Sequence, residues 1–241
     1  MHKIPVFLIL IFSFMEIKAQ FVEVHYDYNN VGDYIFGAHN YAKTPLYLHL
    51  FFTNIEYTSF KETLPYVKRV DPGFTSLFTL MRETDLTPQF LFQIKTFRSN
   101  PVAGVNLGFP YLVPFAPGKM INPVDIKNID GFWGDEVPKS WKATGFAASP
   151  GDPVYAARQG QIVEIVGQTR GDDPKTWYHT WTNSITLLQP DGTLITYKNV
   201  IDKDKTLELN QKIQPGEILG EVAPGSSEIV LMIYHNTLNS P

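Results

Sequence analysis

The chain offers few residues that can do chemistry. It holds six histidines and no cysteine in 241 residues. Without thiols there is no disulfide, no cysteine nucleophile, no thiolate zinc or iron–sulfur site and no acylated lipoprotein cysteine. His25, His39 and His49 fall on runs that read as strands. A histidine there packs or meets solvent unless other ligands converge on it. His179 stands near Asp172 and Asp173, and His235 lies further on. With Glu136 and Asp173 these two histidines could hold a metal only if separate loops bring them together. Lys198 reads as a solvated strand-end lysine rather than a catalytic one. Asp172, Asp173, Asp202 and Asp204 form local acidic clusters, without the dense oxygen spacing and turn glycine of a calcium loop. All four tryptophans, Trp133, Trp141, Trp177 and Trp181, lie in the second half. Trp133, Trp177 and Trp181, with Tyr178, fall in loop segments. There they either stack on a sugar ring or peptide plane, or pack back on the core.

The elements that must position these residues are strands. Hydrophobic residues make up 44% of the chain and charged residues 18%, enough apolar material for a proper core. Aromatics reach 14%, and 17 glycines and 18 prolines supply turns. Period-two alternation recurs: Val22, Val24, Tyr26 and Tyr28; then Leu46, Leu48, Leu50 and Phe52; then Phe90, Phe92 and Ile94. Asn29-Asn30, Asp71-Pro72-Gly73 and Ser99-Asn100-Pro101 punctuate them. Six or seven strands in the first hundred residues predict a small antiparallel sandwich, immunoglobulin-like in architecture. Residues 98–118 carry four prolines and several glycines and read as a linker or extended strap. In the second half, strands are predicted at residues 153–157, 161–166, 184–188, 193–197, 217–222 and 229–234. Pro190-Asp191-Gly192 between two β-branched runs is a hairpin turn. No stretch shows sustained helical periodicity. A net charge of −4 speaks against general nucleic-acid binding.

The second half also resembles a known family. Residues 151–165, GDPVYAARQGQIVEI, are similar to the segment after the first metal motif of LytM/lysostaphin-type zinc endopeptidases, which cut peptidoglycan cross-bridges. NSITLLQPDGTLITYKNV (183–200) resembles their next hairpin, which ends in Tyr-x-His-Leu. KIQPGEILGEV (212–222) resembles their Val-x-x-Gly-x-x-Ile-Gly turn, and EIVLMIYH (228–235) stands where they have His-Leu-His-Phe-Glu. Order and spacing match across about residues 110–241, and the first half looks like the domain preceding the peptidase in some exported members. The resemblance implies a zinc held by a His, an Asp and a second His, with two further histidines assisting. Zinc then lowers the pKa of its water and polarises the scissile carbonyl. This sequence departs from that pattern at every such position. The ligand Asp falls on Gly145, and its companion His near Glu136. The Tyr-x-His-Leu histidine is Asn199, and the His-x-His pair is Val230 and Met232. Gly and Val ligate nothing, Met is a soft ligand unsuited to hydrolytic zinc, and Asn moves no proton near neutral pH.

The expected organisation is a signal peptide over 1–19, a β-sandwich over 20–99, a Pro/Gly-rich linker over 100–118 and a LytM-like domain, of the duplicated hybrid type, over 119–241. Lys3 and the apolar run from residue 4 to 15 give the leader its form. No second apolar run is long enough to span a membrane. The resemblance then implies an exported protein, periplasmic or secreted, with no metal, no cofactor and no catalysis. It would bind peptidoglycan or a partner envelope protein, such as a wall hydrolase, through the former metal groove. The alternative is an active zinc metalloendopeptidase using displaced ligands such as His179 and His235. A lipoyl- or biotinyl-like carrier is suggested only by the Pro215-Gly216 turn. Its candidate hairpin carries no lysine.

Overall fold

A computed structural model describes residues 21–106, 108–127, 140–167 and 183–239. Among these the structure is all β, with antiparallel sheets and no helix. No described helix is therefore long and apolar enough to cross a membrane.

The first seven strands are β1 (Val22–Tyr28), β2 (Tyr34–Asn40), β3 (Leu46–Glu56), β4 (Thr58–Ser59), β5 (Tyr66–Val70), β6 (Gly73–Arg82) and β7 (Gln89–Phe97). They form two sheets, ordered β1-β2-β6-β4 and β5-β3-β7. Alternation decides which side of each strand is dry. Leu46, Leu48 and Leu50 are buried, and Tyr47, His49 and Phe51 between them are not. One core joins both sheets: Val22, Phe36, Phe78 and Leu80 from the first, Leu48, Leu50 and Val70 from the second. Phe36 and Phe78 stack at 4.7 Å. The Asn29 turn works as expected, its Oδ1 accepting from the backbone N–H groups of Val31 and Asp33. Asn40 ties the sheets together at one end. Its Nδ2 donates to the carbonyls of Thr44 and Val70, and its Oδ1 accepts from Ala42 N–H. At 2% exposure no water can replace those bonds. Asn40→Ala should therefore cost about 2 kcal/mol in a urea titration, and an unchanged midpoint would contradict this role.

The second half contributes β8 (Pro123–Ile126), β9 (Lys142–Ala147), β10 (Pro153–Tyr155), β11 (Gly160–Val166), β12 (Ser184–Leu188), β13 (Leu194–Lys198), β14 (Val200–Ile201), β15 (Lys212–Ile213), β16 (Ile218–Val222) and β17 (Glu228–Tyr234). A seven-stranded sheet runs β15-β11-β12-β13-β17-β9-β8, and a three-stranded one runs β10-β16-β14. Their shared core includes Val154, Leu219 and Val222 of the small sheet with Ile185, Ile195, Tyr197, Ile229 and Leu231 of the large one. The predicted hairpin is present, with Gly192 at φ 84° and its N–H on the Gln189 carbonyl.

One predicted strand ends sooner than alternation suggests, at Tyr155, and another starts one residue later, at Leu194, for local reasons. After Tyr155 the chain leaves its ladder, because Ala156 N–H donates to the Glu217 carbonyl and Ala157 N–H to the Tyr197 hydroxyl. Thr193 belongs to the turn, its hydroxyl donating to Gln189 and Asp191. Four strands of the second half, β8, β9, β14 and β15, have no counterpart in the pattern reading. β9 is Lys-Ala-Thr-Gly-Phe-Ala, poor in β-formers, and is a strand because β17 and β8 pair with it on both sides. Residues 98–106 and 108–118 form a strap along the second half. Leu112 N–H donates to the Ala157 carbonyl, Tyr155 N–H to the Pro114 carbonyl, and Phe115 sits in the second core.

Candidate functional site

Strand register decides which residues of the large sheet share a face. Residues directly opposite across a ladder lie on the same side. Val230 of β17 pairs with Gly145 of β9 on one flank and Lys198 of β13 on the other. Met232 pairs with Ala143 and Thr196 in the same way. Extended across the sheet, one row reads Val166, Ser184, Lys198, Val230, Gly145 and Val124. The next reads Glu164, Thr186, Thr196, Met232, Ala143 and Ile126. Gly145, Val230 and Met232, singled out by the sequence resemblance, thus meet on one patch of one face, with Asn199 at its margin.

That patch is dry and apolar. Ala143, Val230 and Met232 are buried together, with Ile126 and Trp141 packed against them. Trp141 also touches the neighbouring cluster of Val163, Leu194 and Tyr234. A Cβ built on Gly145 would stand 2.9 Å from Ile126 Cδ1 and 3.5 Å from a Glu228 carboxylate oxygen. Glycine is what allows β8 to close over this position. Beside the patch, hydroxyls satisfy one another: Thr186 and Thr196 share a hydrogen bond of 2.9 Å, and Thr196 also bonds Tyr234. Burial pushes the Tyr234 phenol up to about 12, so it stays neutral at physiological pH.

Asn199 has a structural task. It holds φ at 66°, a left-handed conformation that asparagine tolerates better than most residues. Its Nδ2 donates to the Glu228 carbonyl at 3.0 Å, its N–H donates to the Asn183 carbonyl, and its own carbonyl accepts from Ala223 N–H. It clamps the starts of β12 and β17 to the end of β13.

These four positions do not fit zinc. Gly145 and Val230 provide no donor atom, Met232 provides a thioether, and the Asn199 amide is committed to a backbone carbonyl. Elsewhere among the described residues, no three His, Asp or Glu side chains lie close enough to hold a metal. His235 follows the last residue of β17, three residues beyond Met232, roughly 10 Å along an extended chain. Its backbone exchanges hydrogen bonds with the Ser140 hydroxyl. His179, Glu136, Asp172, Asp173, Trp133, Trp177, Tyr178 and Trp181 lie outside the described residues, as does the leader over residues 1–20. His25 and His39 occupy one sheet of the sandwich and His49 the other. His25 stacks on Phe74 and His39 lies against Tyr41.

Pattern reading missed a buried ionic cluster at the hairpin. Arg158 is 6% exposed, and its Nη1 donates to Asp191 at 2.8 Å, Gln189 at 3.2 Å and the Tyr111 hydroxyl at 3.4 Å. Its guanidinium lies 3.6 Å from the Phe109 ring centroid. The Tyr111 hydroxyl and the Thr193 hydroxyl both donate to Gln189 Oε1 at 2.6 Å. The cluster fastens the strap to the tip of the β12–β13 hairpin. Its one signal in the sequence is an arginine in a turn between two apolar strands.

No protein-family model matches this sequence, and comparison with curated proteins finds no match. Solved structures do match. The orthorhombic crystal form of Helicobacter pylori Csd3 aligns at 13% identity and TM-score 0.36, over 90% of this chain and 67% of that one. The hexagonal form aligns at 14% identity and TM-score 0.32, over 85% of this chain and 45% of that one. A candidate M23 peptidase of Pseudomonas aeruginosa aligns at 10% identity and TM-score 0.30, over 88% and 86%. Likenesses this distant assign no role to any residue here.

Proposed function

We propose that this is an exported, non-catalytic peptidase-like protein that binds peptidoglycan, or a partner cell-wall hydrolase, through a surface that no longer holds zinc. The observation that carries the reading is the composition of one patch. Gly145, Val230 and Met232, which the sequence resemblance equates with metal ligands and an assisting histidine, meet across β9 and β17 as a packed apolar cluster under Ile126 and Trp141. Polar ligands without a metal in such a half-buried site cost free energy, and apolar replacements remove that cost. The leader-like first nineteen residues support export. Trp133, Trp177, Tyr178 and Trp181 supply aromatic side chains suited to wall sugars or peptide planes.

The test is sedimentation. Purified protein is mixed with isolated peptidoglycan sacculi, pelleted, and the bound fraction measured across protein concentrations. Saturable pelleting that weakens at least about tenfold in a Trp133→Ala/Trp177→Ala/Trp181→Ala variant is expected, since stacking aromatics dominate such contacts. Pelleting no greater than that of an unrelated acidic protein would remove wall binding. Partnership with a hydrolase would then be sought by crosslinking in the native host.

A further inference from the structure

A cleft of about 350 Å³ lies where the first seven strands meet the second half, within the range of small-ligand sites. It shares no residue with the apolar patch on β17. Tyr47 of β3 and Arg69 of β5 form one wall, and Lys212 of β15 with Gln159, Gln161 and Gln214 belongs to the other. Both halves are held in register around it. Arg98 bonds Glu164 at 2.8 Å, Asn210 Nδ2 donates to the Lys43 carbonyl at 2.9 Å, and Ser99 and Asn236 exchange two hydrogen bonds.

The chemistry of the lining is selective. Its two charged residues, Arg69 and Lys212, are both cationic, in a chain whose net charge is −4. Arg69 gives its Nε to Asp71 at 3.0 Å. The Lys212 ammonium has no carboxylate within 4.0 Å among the described residues. The rest of the polar lining is amide: Gln159, Gln161, Gln189 and Gln214. Gln189 is 2% exposed and its Oε1 is held by three donors, yet its Nε2 has no acceptor among the described residues. A buried donor in that state is costly until an acceptor arrives. Primary amides present a donor and an acceptor together, the complement of a peptide unit; Gln159 and Gln214 offer both, whereas Gln161 spends its Nε2 on the Asn210 carbonyl and Gln189 keeps only its Nε2. An ammonium without a carboxylate partner, beside a guanidinium that spends its Nε on Asp71, complements a carboxylate.

We propose that this cleft binds a short peptide bearing a free carboxylate, with Arg69 and Lys212 holding the charge and the glutamine amides holding the backbone. The site is independent of the reading proposed for the β17 face, so either can fail alone.

The experiment is an NMR titration of the full protein with acetyl-trialanine carrying a free C-terminal carboxylate. Its C-terminal amide and plain acetate serve as comparison ligands. Saturable shifts confined to the backbone amides of Gly160, Gln161, Lys212 and Gln214 are expected. The amidated peptide and the Arg69→Gln/Lys212→Gln variant should each bind at least about tenfold more weakly, the loss of a charge-assisted contact. Both side chains are exposed, so the variant keeps its fold, and an unchanged spectrum outside the cleft verifies this. No saturable shift, equal affinity for the amide, equal affinity for acetate, or an unaffected double variant would each overturn the proposal.

Discussion

Replacing Arg158 by Met should lower stability by about 3–5 kcal/mol, the usual consequence of stripping one partner from a buried ion pair. In a chain of this size that is a fall in Tm of roughly 10 °C. The side chains of Arg158 and Asp191 are 7% and 14% exposed, so water cannot take over the contact. The loss also leaves Gln189 Oε1 and the Tyr111 hydroxyl short of a donor, and Phe109 without its stacked guanidinium. Arg158→Met combined with Asp191→Leu should recover most of the deficit, because the buried charge is then gone with its partner. A single variant that melts within a degree or two of the parent would contradict this account of how the strap is held.

The same pair sets an acid limit. Burial pushes the Asp191 carboxyl up, but hydrogen bonds from Thr193 and Arg158 outweigh it and hold the group below its ordinary value of 3.8. Its folded-state affinity for protons is thus lower than in the unfolded chain. The stability it contributes is present in full above the ordinary value and disappears as pH falls through the lowered one. Stability measured from about pH 5 downward should therefore fall less steeply in the Arg158→Met/Asp191→Leu variant than in the parent.

The second large effect concerns Gly145. Gly145→Asp, the change to the residue that the sequence resemblance would place there, should cost about 3 kcal/mol or more. A Cβ there meets Ile126 Cδ1 at 2.9 Å, which is overpacking. The carboxylate would then lie beside Glu228 and the apolar cluster of Ala143, Val230 and Met232, unpaired and partly desolvated. Ile126→Ala opens the space, so the double variant should lose less than the sum of the two single losses. Additive losses in urea unfolding would mean that Ile126 does not close over this position.

How legible this was depends on the type of information. The leucines of β3 announce their buried face at every second position, and Asp191-Gly192 announces its turn, because both are local rules acting on neighbouring residues. β9 announces nothing. Ala143 and Gly145 are small because of what covers them, Ile126 and Trp141 over the one and Ile126 over the other, and that fit is visible only once β8, β9 and β17 are in register. Asn199 reads as a lost histidine in sequence, and its work as a left-handed clamp on Glu228 depends on backbone geometry that no spacing encodes. Arg158 and Asp191 stand 33 residues apart, each unremarkable in its own turn. The amide-lined cleft takes its walls from residues near 47, 69, 160, 189 and 213, a set that only the packing of the two halves assembles.

The most direct test of the central claim measures metal and catalysis together. Purified protein is incubated with excess zinc, desalted and assayed for bound metal, then held with peptidoglycan sacculi while soluble muropeptides are quantified. The patch of Gly145, Val230 and Met232 predicts no stoichiometric zinc and no muropeptide release above a heat-inactivated control. One zinc per chain together with release that His235→Ala abolishes would contradict it, and would establish a wall hydrolase with displaced ligands.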